Sequence, residues 1–380
     1  MKSLKHQILL AICLIAYCGD SISDGFNVIP LELHFTEPTL QHTFRNKGTA
    51  DKPIGTNVIN HPQSGLNKAA AQWGFLGHKT INQHAVFALP QPLFGFYKKY
   101  IQFITNHAVD PDQRRYSDTA EACRHYIDLD HYEKALPIDT LPKYWMQAVE
   151  KFTADTLFEY GIVPYHVQMM LYRLTKAFQE KNLAAILRLS ADIGHYVADA
   201  HVPLHTTENY DGQLTHQHGI HALWETRIPE ISLPNYLLLT PNGHFLESPA
   251  DSIWNSISQS HALLPTVLKT EKQLSQKWPQ NKKYEFSTDL HGKTKKQIHP
   301  KFVKSYESQL NHMVEIRMKQ AIVAVASYWY TAWILAGQPN LDEISNQTSN
   351  QDPISLKPEK TETLISTSIL PSRCDGLKHD

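Results

Sequence analysis

From Trp73 onward the apolar residues recur at helical spacing, and strand-like alternation is nearly absent. Ile81, Ala85, Val86 and Leu89 fall on one helical face, and Pro90 ends the run. The same rhythm predicts helices over residues 93–107, 142–158, 164–179, 183–200, 247–268 and 302–335. Before Trp73 the rhythm is missing. Residues 19–72 are rich in Asn, Gly, Pro, His and Thr, and Gly48, Pro53, Gly55, Pro62 and Gly65 punctuate them, so this stretch reads as a pro-segment or linker. Residues 341–380 turn polar, with Ser, Thr, Asn, Lys and Pro, and read as a disordered tail. The pattern therefore predicts an all-α fold, a single multi-helix domain over residues 73–340 between flexible extensions, with no internal repeat.

Two apolar stretches need separate accounts. Lys2 and Lys5 precede an apolar run over residues 8–17, too short to span a bilayer but right for the core of a signal peptide. Residues 1–18 are read as that signal, and the mature protein as exported, periplasmic or secreted. Cys18 raises lipidation, but the bulky Tyr17 before it favours simple cleavage. The second stretch, residues 321–336, is interrupted by Ser327, Tyr328, Tyr330 and Thr331, and reads as a buried core helix rather than a span.

Composition narrows the chemistry. With 42% hydrophobic and 19% charged residues in 380, the chain can bury a sizeable core. Its 36 basic residues balance 37 acidic ones, which excludes a basic nucleic-acid coat or a polybasic membrane binder. Only Cys123 and Cys374 lie beyond the signal segment, and two cysteines so far apart argue against thiolate-held zinc. The outlying count is 22 His, which directs attention to metal held by imidazole and carboxylate.

The densest signal lies over residues 195–225. His195 and Asp199 are four apart on a helix and project from one face; Pro203 follows, then His205. A loop with Gly212 and Gly219 leads to His221 and Glu225, again four apart. A single pair of this kind is often only a solvated surface pair. Two pairs flanking a third His, on helices carrying Ile193, Val197, Leu223 and Trp224, imply buried groups that need a partner, and a divalent cation supplies one. Upstream, Asp110 and Asp112 sit in a Pro-containing turn where Asp is common anyway, and His125 follows in the run RHYIDLDHY, whose Asp130 and His131 could simply face solvent. A third group is Trp73 with His78, for which a packed Trp is the ordinary reading.

Together these groups resemble the zinc-dependent single-strand-specific nucleases and the related bacterial zinc-dependent phospholipases C. That family opens its mature chain with Trp and a nearby His, continues with an Asp and a His about fifteen residues on, then His-x3-Asp-x5-His, then His-x3-Asp/Glu. This chain presents Trp73, His78, Asp110, His125, His195, Asp199, His205, His221 and Glu225 in that order. The resemblance covers roughly residues 73–340 and implies an all-α fold. It also implies three zinc ions: one on Asp110, His125, His195 and Asp199, a second on His205, His221 and Glu225, and a third on the α-amine and carbonyl of Trp73, His78 and a bridging Asp199. Three Zn²⁺ bring +6 and Asp110, Asp199 and Glu225 return −3, a positive pocket suited to a phosphodiester. Asp110 and Asp199 would then serve catalysis through the metals. No GxSxG and no phosphate-cradling Gly loop points elsewhere.

Neighbouring residues bear on the substrate. In the nucleases, an aromatic and an Asp at the offsets of Tyr126 and Asp128 stack on a base and hydrogen-bond its edge. Core packing for Tyr126 and a cap for Asp128 are the alternatives. Arg114 or Arg115 would neutralise phosphate, although the family's Arg sits nearer its Asp. A nuclease acting on single-stranded nucleic acid or nucleotides is therefore expected first, and a phospholipase C acting on phospholipid second. No protein partner is implied, and a monomer is expected. One departure stands out. An α-amine ligand needs a free N-terminus, yet 72 residues precede Trp73, and a mid-chain amide nitrogen is a poor ligand because its lone pair is delocalised. A second cut after Gln72, following Ala69, Ala70 and Ala71, would free it.

Overall fold

The computed structural model describes residues 72–133, 137–288 and 294–346. Helix Leu183–Asp199 forms the centre. Asn182 caps it by accepting the Ala185 N–H at 3.1 Å, and its first turns bury only Leu183, Ile186 and Leu187. From Ser190 to Asp199 every residue is buried, which is what a helix does when other helices cover it on all sides. The covering helices are Val163–Gln179, Met313–Leu335 and Gln72–Phe87.

The approach of the first helix to the central one is set by Gly194. A Cβ there would fall 2.2 Å from Asn82 Oδ1, so any side chain would have to displace the buried Asn82 amide. In that space Asn82 Nδ2 donates to Ala191 O at 3.0 Å. One turn away, the contact brings the rings of His78 and His195 into a stack at 3.8 Å. On the other side, Trp329 stacks on Tyr97 at 4.8 Å and donates its Nε1–H to Ser190 O. Burying aromatic side chains of this size stabilises the fold by about 2–3 kcal/mol each. The apolar residues around 321–336 belong to this core: Ala321, Ile322, Val325, Tyr328 and Trp329 are all buried. Among the described residues no helix is long and apolar enough to cross a membrane.

The turn after the central helix is braced by buried polar groups. Ser260 Oγ donates to Ala200 O at 2.7 Å, and the buried Arg317 donates from Nε to His201 O at 3.0 Å. Arg317 also reaches Gln259, Gln320, Ser256 O and Ser260, so its donors are satisfied without a carboxylate. This rigid turn presents His205.

The mostly helical architecture agrees with the sequence pattern, and the differences are local. The expected helix 93–107 divides at Tyr100 into Leu93–Lys99 and Ile101–Asn106. The expected helix 142–158 starts at Trp145 and breaks at Thr153, whose φ of 68° no helix accommodates. Asn311 and His312, at φ 54° and 59°, separate Pro300–Gln309 from Met313–Leu335. Helix Pro249–Lys277 runs nine residues beyond expectation, through Pro265. Tyr284–Thr288 and Thr294–Ile298 pair as an antiparallel hairpin that the helical reading did not anticipate. The polar tail begins later than residue 341, because Leu341–Asn346 is a helix that buries Leu341 and Ile344. The signal segment, the pro-segment to residue 71 and the tail beyond residue 346 lie outside the described residues.

Candidate metal centre

Asp199 closes the central helix and is 1% exposed. Its Oδ2 lies 2.9 Å from His125 Nδ1 and 3.3 Å from His195 Nε2. Its Oδ1 lies 3.3 Å from His78 Nε2 and 3.8 Å from His205 Nδ1. One buried carboxylate thus faces four imidazoles from four separate segments. Burial alone would raise its pKa; the neighbouring His195 and His205, with the hydrogen bond from His125, hold it well below the ordinary Asp value. Asp199 in turn outweighs the burial of His195, with help from Asp112, and the burial of His205, with help from Glu225; each imidazole is pushed up to about 9.

The far nitrogens are tied to the backbone. His195 Nδ1–H donates to Ala108 O at 2.8 Å, and His205 Nδ1–H donates to His125 O at 2.7 Å. His221 Nδ1 faces Tyr210 O at 3.3 Å. Such bonds fix each ring's orientation and leave its Nε2 turned to the interior. His205 Nε2 is 3.3 Å from Glu225 Oε2, and His221 Nε2 is 3.1 Å from Glu225 Oε1. Yet His205 Nε2 is buried with no aligned hydrogen-bond partner, as are His125 Nε2 and His78 Nδ1. His125 Nε2 has Glu121 Oε1 3.5 Å away, a supporting carboxylate behind the ring. A buried carboxylate ringed by imidazoles, several of whose nitrogens lack a hydrogen-bond partner, is an arrangement that a cation can satisfy.

Three donor groups result: His125, His195 and Asp199; His78, Asp112 and His195; and His205, His221 and Glu225, each with donor atoms within 4.8 Å of one another. The first is fully buried and the last partly open, so these His and carboxylate clusters could hold metal ions with access from the His221 side. His221 directly precedes a π-helical turn, Ala222–Arg227, that carries Glu225, a geometry often found at functional sites. Burial would raise Glu225, but His221 and His205 hold it low.

Two expectations are corrected. Asp110 is not at the cluster: it opens the short helix Asp110–Arg114 and accepts from the nearby His107 ring at 2.7 Å, both side chains partly exposed. Asp112, two residues on and so on another face of that helix, takes the place, with Oδ1 3.8 Å from His195 Nε2 and 3.9 Å from His125 Nδ1. A Cβ on Gly74 would meet Asp112 Oδ2 at 3.1 Å, so the start of the first helix adjoins the same group. Trp73 is the second residue of that helix, and its side chain lies outside the described part of the structure. Arg114 is not a free phosphate ligand. It donates to both oxygens of Asp192 at 3.3 and 3.0 Å, to Tyr196 Oη at 3.1 Å and to Glu121, which is fully buried. Arg115, 3.8 Å from Asp112, stands closer to the cluster.

The segment after His125 runs along the His205 turn, with Ile127 N–H donating to His205 O at 3.0 Å and Leu129 N–H to Thr206 O at 3.2 Å. This pairing sets Asp128 near His205 of the candidate donor cluster. Burial, with Asp130 and Glu208 nearby, raises its carboxyl to about 7 against the opposing pull of His205. Tyr126 is half-buried, its hydroxyl donating to Glu159 O at 3.4 Å. The loop histidines His216 and His218 join none of the donor groups found among the described residues.

No protein-family model matches the chain, and no curated protein matches it.

Proposed function

We propose that the protein is a zinc-dependent phosphodiester hydrolase acting on single-stranded nucleic acid or nucleotides. The observation that carries this reading is Asp199, a single buried carboxylate facing imidazoles of two donor groups, which is how one residue shares adjacent cations. Zinc suits a donor set of imidazole and carboxylate without thiolate, and Cys123 is a buried thiol donating to Ala120 O. We assign three ions: one to His125, His195, Asp199 and Asp112; one to His205, His221 and Glu225; and one to His78, Asp199 and the freed terminus at Trp73.

When bound, zinc supplies Lewis-acid polarisation of the phosphodiester and a water acidified toward neutral pH. The chain does the rest. Asp112, Asp199 and Glu225 return only part of the cationic charge, so the centre attracts an anion. Ala108 O, His125 O and Tyr210 O hold three imidazoles in one orientation, so the donor nitrogens need no reorganisation. Arg115, 3.8 Å from Asp112, would offer its guanidinium to a phosphate oxygen. Asp128, half protonated near neutrality, can accept from or donate to a base edge, and Tyr126 offers a face for stacking.

The test is hydrolysis by the purified, zinc-loaded protein of single-stranded DNA and RNA beside phosphatidylcholine. Cleavage of the single strands, abolished by a chelator and restored by zinc, is expected. Turnover of phosphatidylcholine alone would transfer the assignment to a phospholipase C.

A further inference from the structure

The hairpin Tyr284–Thr288 and Thr294–Ile298 takes no part in the metal centre, yet it is fastened to it. Arg227 follows the ligand Glu225 by two residues, and its NH2 donates to Ile298 O at 3.2 Å and approaches Glu285 Oε1 at 3.5 Å. Gln297 Nε2 donates to the same Glu285 oxygen at 2.9 Å. Glu285 and Gln297 are directly opposite in the register, so one face of the hairpin is fastened to the π-helical turn that holds Glu225.

The other face differs. Tyr284, Phe286 and Lys296 share it, because Phe286 lies opposite Lys296 and side chains alternate along a strand. Phe286 is 71% exposed, leaving its ring open to solvent. Lys296 Nζ lies 3.9 Å over the Tyr284 ring. By sequence the segment is lysine-rich, with eight lysines against two acidic residues over 277–304 in a chain whose net charge is −1. Lys277, Lys282, Lys296, Lys301 and Lys304 are exposed.

An aromatic face edged with lysines and coupled to a phosphodiesterase centre has a specific complement. We propose that the hairpin is a second contact surface for the single-stranded polynucleotide, stacking a base on Phe286 and neutralising backbone phosphates with Lys296 and its neighbours, remote from the metals. The inference rests on the function proposed above and extends it: a strand longer than the central site is gripped twice. Single-strand binding surfaces combine these two elements, stacking for sequence-tolerant affinity and lysines for the backbone.

The test uses the full zinc-loaded protein and a hydrolysis-resistant phosphorothioate single strand. The double variant Phe286→Ala/Lys296→Ala removes exposed side chains and leaves the core untouched. Its affinity for the strand should fall about five- to a hundredfold, the loss expected for one stacked base. The slope of log affinity against log salt should flatten by about 0.7 for the lysine removed. Unchanged affinity and slope overturn the proposal. So does a variant that binds the strand normally but has lost binding to phosphatidylserine vesicles, which would make the hairpin a membrane contact. The parent reading is separated by hydrolysis of bis-p-nitrophenyl phosphate with the unaltered protein. Hydrolysis together with hairpin-independent binding overturns the second surface alone, whereas hairpin-dependent binding without any hydrolysis overturns the hydrolase alone.

Discussion

Asp112→Asn and Asp110→Asn differ by two positions and should differ sharply in effect. Asp112 Oδ1 lies within 3.9 Å of the ligand nitrogens of both His125 and His195, whereas Asp110 serves only a partly exposed pair with His107. A closed zinc site binds with roughly 10–16 kcal/mol, so one ligand of four carries on the order of 3 kcal/mol. Asp112→Asn keeps the shape but loses the charge, and should weaken that zinc by about a hundredfold or more. Asp110→Asn should cost about 0–1 kcal/mol of stability, the value of an exposed pair, and no metal. The assay is zinc content after dialysis, followed by titration against a chelating indicator, with hydrolysis of bis-p-nitrophenyl phosphate measured in parallel. A protein that loses zinc and activity with Asp110→Asn, and keeps both with Asp112→Asn, would refute the placement.

Metal-free protein should show a definite pH profile. His195 and His205 are raised from 6.5 to about 9 in the folded chain, so their contribution is complete below pH 6.5 and is lost as pH rises towards 9. Each shift corresponds to about 3 kcal/mol, and because both depend on Asp199 the sum is less than twice that. The depressed carboxyls of Asp199 and Glu225 act at the other end: their contribution is present above pH about 4 and lost in stronger acid, so urea melts of stripped protein should peak between these limits. A flat profile from pH 6.5 to 9 would contradict the charge assignment. Tyr126→Ala should cost about 1–3 kcal/mol with nucleotide substrates and little with bis-p-nitrophenyl phosphate; equal losses on both would mark Tyr126 as packing. N-terminal sequencing of the purified, active protein should begin at Trp73. Full activity with three zincs and residues still present upstream would remove the maturation step.

The sequence carried the parts of this site that depend on short-range periodicity. His195 with Asp199, and His221 with Glu225, were legible because residues four apart on a helical segment must face together. The core helix around Trp329 was legible from a largely apolar run whose interruptions at Ser327, Tyr328, Tyr330 and Thr331 argued for burial rather than a span. The choice between Asp110 and Asp112 was not, because it turns on the phase of a five-residue helix entered from the tight turn His107–Val109. One signal was available: His107, three residues before Asp110, is a local partner that could claim it. Arg114 was misread because its partners Glu121 and Asp192 are distant in sequence and become neighbours only in the folded core. Tyr284 and Phe286 do alternate with polar residues, but five positions are too few to overrule the helical character around them.

Elemental analysis of the purified, active chain is the most direct test of the metal centre. The account predicts close to three zinc ions per chain, and Asp199→Ala should cause the widest loss of both metal and phosphodiesterase activity, since that carboxylate faces two donor groups. A dialysed protein that remains fully active with a single bound metal, or an Asp199→Ala variant with near-normal activity, would contradict it.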